Sequence, residues 1–358
     1  MATKRSSKAR KLPVESVETN IEGVYSFVPP PRGIDLTTAS RATLLKHGIL
    51  FRRPDPEREP RWFGLWKKFV TEIWTENNFV VPVFEPSKDL PHILRGPVQF
   101  VTPNNSISTN WGGVVVRGSW VGAMGVWNVP TVSAPQGIYA IPASDGQYHS
   151  GSWVGLDGAP GEPQDVLQAG IAQIVNPGIS TQDMPGGIGL YSAWAEWYTP
   201  AYPQSLAQYP YLAPQIITSV PVQAGDQISV VVQYVQHRGD NIGNPSPPAG
   251  PYHFGAVLLV NVTTGKAANF YWPPPPQASF AGDSAEWIME LNDGTVLPAF
   301  SPLEFRDAGA CNVNDASPGG FAGSELQNGT ILDLNDTYNR IETNSGGFEG
   351  GATIQYIA

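Results

Sequence analysis

The sequence predicts an all-β protein: a jelly-roll-like sandwich of two antiparallel sheets, preceded by a basic, partly helical N-terminal segment. Three observations carry this. From about residue 108, short β-rich runs are separated by Gly, Pro, Asn and Ser, and no helical stripe follows. The chain holds 38 glycines and 35 prolines in 358 residues with only 15% charged residues; Gly plus Pro thus make up about 20% against an ordinary 12% or so, the mark of a folded, turn-rich chain rather than a disordered one. The single cysteine, Cys311, allows no intrachain disulfide and no cysteine zinc site. Ten or more strands must therefore be held by packing, which two face-to-face sheets provide.

In chain order, residues 1–22 are basic and polar and read as a disordered tail. The Pro-rich stretch Val28-Pro29-Pro30-Pro31 follows, then a short helix capped by Thr37 or Thr38 and running through Ala42, Leu44 and Leu45. Residues 60–76 show the clearest helical period. Trp62, Leu65, Trp66, Phe69, Val70, Ile73 and Trp74 recur at helical spacing, with Pro60 suited to the first turn. A face with three tryptophans must be covered, so this segment is expected to dock on the body of the protein.

Charge supports that expectation. The net charge is −10, yet residues 1–100 carry 16 Lys and Arg against 11 Asp and Glu, while residues 101–358 carry 5 against 20. A basic head on an acidic body suggests mutual attraction, and an acidic body argues against nucleic acid as a partner, since phosphate binding needs clustered Lys and Arg. No run of 18 apolar residues occurs, so no transmembrane helix and no membrane partner are expected. The basic start meets polar Pro13-Val14-Glu15-Ser16 where a signal peptide needs an apolar region, so no signal peptide is visible. His47, His92, His149, His237 and His253 lack metal-ligand spacing; no metal or other cofactor is expected.

The predicted strands are Gly113–Arg117, Val121–Val129, Gly151–Leu156, Asp165–Val175, Leu190–Tyr198, Ile216–Val222, Gln227–Val235, Ala256–Val262, Ala267–Trp272 and Ala285–Leu291. Val262 to Lys266 reads as a hairpin turn with Gly265 at positive φ. The loops His237–Pro251 and Pro273–Pro276 are placed to rim a groove.

Polar residues inside these strands are the informative feature. Alternation puts Ser192, Trp194 and Glu196 on one face of their strand and Tyr191, Ala193, Ala195 and Trp197 on the other. Gln168 sits among apolar and small neighbours, with Gly170 on its face leaving space above the sheet. Glu286 and Glu290 share a face opposite Ala285, Trp287 and Met289. Spacing alone fits equally a solvated side of an antiparallel sheet.

The residues also resemble a family. Asn110-Trp111-Gly112-Gly113, Trp153-Val154-Gly155-Leu156-Asp157-Gly158, Leu167-Gln168-Ala169-Gly170, Tyr191 to Tyr198, Asn261 to Gly265 and Ser284-Ala285-Glu286-Trp287-Ile288 look like the ordered signatures of the glutamic peptidases, the eqolisins, over about 108–305. The resemblance implies a β-sandwich of two seven-stranded sheets, an extracellular endopeptidase acting on polypeptides at acidic pH, and a catalytic glutamine and glutamate at Gln168 and Glu286. Trp111, Trp153, Asp157, Trp194 and Glu196 match positions lining or supporting the cleft. Ala172 and Ser192 replace acidic positions of the fungal members, and the disulfides are missing, which weakens the implied strongly acidic optimum. Residues 23–100 then read as a removable prosegment of a zymogen and 101–358 as the catalytic domain, working as a monomer.

Chemically, a glutamate can activate water as base and return the proton as acid, while a glutamine amide is a neutral donor to an oxyanion. The rival class is a carbohydrate-binding or glycoside-hydrolysing jelly roll using Glu196 and Glu286; a module with no activity is the third possibility. Gln168 discriminates, because a glycosidase needs two carboxylates and no strand amide. A serine hydrolase is a poor fit, since Ser150-Gly151-Ser152-Trp153 does not match G-x-S-x-G.

Overall fold

The computed structural model describes residues 15–50, 53–72, 78–86, 106–108, 110–136, 142–159, 165–179, 186–199, 214–237, 252–275, 278–292, 296–312, 330–335, 340–345 and 352–356. They form a β-sandwich. The first sheet runs from Leu303–Asn312 through Trp120–Asn128, Gln227–His237, Tyr252–Asn261 and Lys266–Trp272 to Tyr25–Phe27 and Ser16–Glu18, all antiparallel. The second runs from Phe84–Pro86 through Gln215–Ile217, Ile188–Tyr198, Val166–Asn176, Tyr148–Leu156, Ser284–Leu291 and Trp111–Arg117 to Thr330–Asn335. Arg340–Ser345 and Ala352–Tyr356 extend the second sheet, and Ala352–Tyr356 pairs with Leu303–Phe305, joining it to the first.

Period-two alternation explains the layers. Val154, Leu167, Ala169, Ala193, Trp197 and Trp287 of the second sheet meet Trp127, Val230, Val232 and Leu259 of the first in one interlayer core. Each buried large apolar side chain contributes about 1.5–3 kcal/mol, which replaces the absent disulfides. The hairpin after Asn261 forms as expected, with Gly265 at φ 69° and Asn261 Oδ1 accepting the Thr264 N–H at 3.1 Å.

The strand expected over Ile216–Val222 stops at Ile217, where Val220 N–H donates back to the Ile217 carbonyl and Pro221 has no N–H to give. Leu303–Asn312 escapes sequence reading because Glu304, Arg306 and Asp307 interrupt its apolar pattern and its register shifts between Arg306 and Gly309. Ser16–Glu18 lies within the stretch read as a disordered tail, yet it pairs with Tyr25–Phe27; residues 1–14 are outside the described residues.

The short helix is Arg41–Lys46, and its cap is Ser40, whose side chain accepts the Thr43 N–H. Thr37 and Thr38 lie before the helix begins, and both donate to the Asp35 carboxylate instead. The second helix is Pro60–Glu72. Trp66, Phe69 and Val70 share an apolar cluster with Leu44, Ile49, Met124, Val231 and Leu258 on the outer face of the first sheet. The side chains of Trp62 and Leu65, Ile73, Trp74 and residues 238–250 lie outside the described residues. No described helix is long and apolar enough to cross a membrane.

Candidate active site

Strand register assembles the site on the outer face of the second sheet. Glu196 pairs with Gln168, Gln168 with Gly155, and Gly155 with Glu286, so these four form one row across four strands. At about 4.8 Å per strand, the backbones of Gln168 and Glu286 stand roughly 10 Å apart. Gly155 lets the Trp153 ring lie over the strand between them: a Cβ there would stand 2.7 Å from that ring and 3.4 Å from Glu286 Oε2. The next row places Ile288, Trp153, Gly170 and Trp194 side by side. Gly170 admits no side chain, since a Cβ would stand 2.1 Å from the Ser152 carbonyl oxygen. A third row carries Trp111, Glu290, Gly151, Ala172 and Ser192.

This face is not a solvated one. Gln168, Glu286, Glu290, Trp111, Trp153 and Trp194 are fully buried and Glu196 is 1% exposed. Gln168 donates through Nε2 to Glu196 Oε2 at 3.1 Å, and its Oε1 has no partner among the described residues. Neither carboxylate oxygen of Glu286 accepts a hydrogen bond among them, and the Trp194 indole N–H is likewise unpartnered. Burial pushes the Glu286 carboxyl well above the ordinary glutamate range, and the charges of Asp157 and Asp283 push it further; the nearby Ser284 hydroxyl and Arg117 work the other way.

Glu290, which alternation puts on the face of Glu286 but to which the sequence assigns no role, joins the row beside the candidate site. Its Oε1 accepts from Trp111 Nε1 at 2.8 Å and Asn110 Nδ2 at 3.3 Å, and its Oε2 accepts from Trp153 Nε1 at 2.8 Å. The two indoles meet edge-on, with centroids 5.0 Å apart. Trp111 and Trp153 thus hold a second buried carboxyl further along the strand and on the same face as Glu286. Its position two alternate residues from Glu286 was the available signal. Burial raises its carboxyl well above the ordinary range, and Glu196 adds to that rise. The charge of Glu196 is felt at Glu290, whereas the carboxylates that bear on Glu286 are Asp157 and Asp283.

Asp157 stands behind the row rather than in it. At φ 66° it turns the chain after the Tyr148–Leu156 strand, and its carboxylate accepts the N–H groups of Ala281 at 2.8 Å and Asp283 at 2.9 Å. It thereby ties down the turn that leads into Glu286. Burial raises Asp157 to about 6 despite those backbone donors.

Among the described residues the serines and His149 form no catalytic constellation. Ser152 accepts from Gln173 Nε2 at 2.7 Å and Trp127 Nε1 at 3.2 Å, and Ser150 donates to Gln173, so neither serine is held by a base. His149 pairs with Asp145 at 2.8 Å. Among the described residues no group of three or more His, Cys, Asp or Glu could hold a metal ion.

Residues 109–356 match the profile described as the Peptidase A4 family. Among solved structures, scytalido-glutamic peptidase is 22% identical, with 70% of this chain and 100% of that chain covered and a TM-score of 0.46. SCP-B, described as a member of the eqolisin family of peptidases, is 21% identical over 70% of this chain and 100% of its own, with a TM-score of 0.47. Aspergilloglutamic peptidase from Aspergillus niger is 22% identical over 59% of this chain and 99% of its own, with a TM-score of 0.39. No curated protein matches the chain.

Proposed function

Because the chain belongs to the peptidase A4 family, the eqolisins, and is a glutamic endopeptidase, we propose that Glu286 and Gln168 carry peptide-bond hydrolysis between them, over Gly155. Ionised Glu286 takes a proton from a water whose oxygen attacks the carbonyl carbon. The carbonyl π pair moves onto its oxygen, where the Gln168 amide donates a hydrogen bond to the developing charge. When the oxyanion pair returns to re-form the C=O bond, the C–N bond breaks with its electron pair on nitrogen, and Glu286 returns the proton to the leaving amine. The observation that carries this reading is the row of Gln168, Gly155 and Glu286, a neutral donor and a buried carboxyl on one face of the sheet. Trp153 and Trp194 supply apolar walls for an unfolded polypeptide, and Glu196 orients the Gln168 amide.

The raised Glu286 carboxyl bears on the working pH. A base must be ionised, so activity rises as pH climbs through the raised value, and that limb lies at higher pH than an ordinary glutamate would give. A glycosidase reading is disfavoured by the same row: Glu196 is engaged by the Gln168 amide at 3.1 Å, and Gln168 and Gly155 stand between its strand position and that of Glu286.

Residues 23–100 fit a prosegment of a monomeric zymogen on their charge and on the cluster joining Trp66, Phe69 and Val70 to Met124, Val231 and Leu258. The helix lies on the sandwich face away from Gln168 and Glu286, so any inhibition acts elsewhere than through that helix. A chain beginning near Val101 tests it: greater activity at neutral pH than the full chain supports a prosegment, and insolubility or equal activity removes it. The enzymatic reading is tested by incubating the protein with a denatured polypeptide across pH 2 to 7 with metal chelator and serine- and aspartic-protease inhibitors. Cleavage that persists, and is lost in Glu286→Gln, supports it; no cleavage at any pH overturns it.

A further inference from the structure

A cavity of about 230 Å3 lies between the Pro60–Glu72 helix and the outer face of the first sheet, on the opposite side of the sandwich from Glu286. Its floor is another cross-strand row, Val260, Ser229, Val126 and Arg306, one residue from each of four adjacent strands. Phe69 and Lys68 of the helix form its wall.

Three independent features mark it as more than a packing gap. Ser229 is 1% exposed, and its hydroxyl, on the face lined by the cavity, has no partner among the described residues. Leaving a buried hydroxyl unpaired is costly in a way that Ala or Val there would avoid. The Leu303–Asn312 strand breaks register at the cavity, between Arg306 and Gly309, and Asp307 sits there at φ 46°, a conformation that costs a residue with a Cβ. Arg306 donates through Nη2 to Asn128 Oδ1 at 2.8 Å, yet its Nε has no partner among the described residues.

The lining is chemically two-sided. Phe69, Met124, Val126, Val260 and Val262 are apolar, while Arg306 and Lys68 outnumber the one acid, Asp307. The volume exceeds the 150 Å3 or so that admits a benzene ring in an apolar protein cavity. We propose that this cavity is a binding site for a small carboxylate with an apolar tail or ring, its carboxylate met by Arg306, Lys68 and the Ser229 hydroxyl. Because the helix supplies one wall, the ligand binds the form in which the helix is seated and stabilises that form by mass action.

The experiment uses the full chain carrying Glu286→Gln, which prevents self-digestion, and titrates octanoate and phenylacetate by calorimetry beside octanol and 2-phenylethanol. Saturable one-site binding of a carboxylate, about tenfold or more tighter than its alcohol, is the expected result. That preference falls in Arg306→Gln and, should that variant fold poorly, in the exposed Lys68→Gln, while Ser229→Ala weakens binding severalfold. Absence of saturable binding, equal affinity for acid and alcohol, or a preference untouched by both charge substitutions overturns the proposal.

Discussion

Gln168 and Glu196, directly paired on adjacent strands, share a hydrogen bond of 3.1 Å between Nε2 and Oε2 in a fully buried setting. The bond turns the amide nitrogen toward Glu196 and leaves a second N–H for another acceptor. It follows that Gln168→Ala removes one oxyanion donor and lowers kcat by about 100- to 1,000-fold, the cost of losing one such donor. Glu286→Gln abolishes turnover. Single-turnover cleavage of a fluorogenic peptide measures both, and near-native rates in Gln168→Ala would remove Gln168 from the mechanism.

The lack of a side chain at Gly155 is predicted to be as necessary as the two side chains that flank it. Gly155→Ala places a methyl 2.7 Å from the Trp153 ring and 3.4 Å from Glu286 Oε2. Such crowding costs about 1–3 kcal/mol of stability and displaces the Trp153 ring and the Glu286 carboxyl, so activity falls tenfold or more under conditions where circular dichroism shows the variant folded. An active, folded Gly155→Ala protein would show that the placement of Trp153 and Glu286 beside Gly155 is not needed for turnover.

Glu290 is predicted to stabilise the site through the two indoles that hold it. Trp153→Phe keeps the ring packing but removes the N–H that donates to Glu290 Oε2 at 2.8 Å. The orphaned buried acceptor costs about 1–3 kcal/mol, read as a lower urea midpoint. If the midpoint is unchanged, Glu290 is satisfied by other means.

Stability is predicted to increase on acidification. Asp157 titrates at about 6 in the folded protein against an ordinary 3.8. A carboxyl that holds its proton more tightly when folded contributes stability that is fully present below the unfolded value and is lost as pH rises through the folded one. For Asp157 the window is about pH 4 to 6, and a shift of two units corresponds to about 3 kcal/mol. Glu286, Glu290 and Asp165 act in the same direction. Urea midpoints at pH 4 and pH 7 measure the effect, and Asp157→Asn flattens part of it. A midpoint that falls on acidification contradicts the expectation.

The pH-rate profile is predicted to respond to Asp283. Its charge raises the Glu286 carboxyl, so Asp283→Asn stabilises the ionised base and moves the acidic limb of kcat/KM to lower pH. Asp283 is partly exposed and faces Arg117 at 3.5 Å, so the expected displacement is modest. A limb displaced upward, or unmoved in Asp283→Asn and Asp157→Asn alike, separates Glu286 from that limb.

Alternation within single strands is enough to make the two faces of the sandwich legible in the sequence. Trp287 and Trp197 turn inward, and Gln168, Glu196 and Glu286 turn outward, because side-chain direction in a strand follows from parity alone. The hairpin at Gly265 and the helical period around Trp66 are local signals of the same kind. Which outward residues meet depends instead on register between strands far apart in sequence. Glu286 faces Gln168 across Gly155 only because three strands align, and nothing in any one strand specifies that alignment. The same holds for the indoles of Trp111 and Trp153 closing on Glu290, for Asp157 bracing the turn before Glu286, and for the bulge at Asp307. Burial is likewise out of reach of parity: an outward polar residue is solvated or sealed according to what packs over it, and at Gln168 and Glu286 the packing leaves no exposed surface.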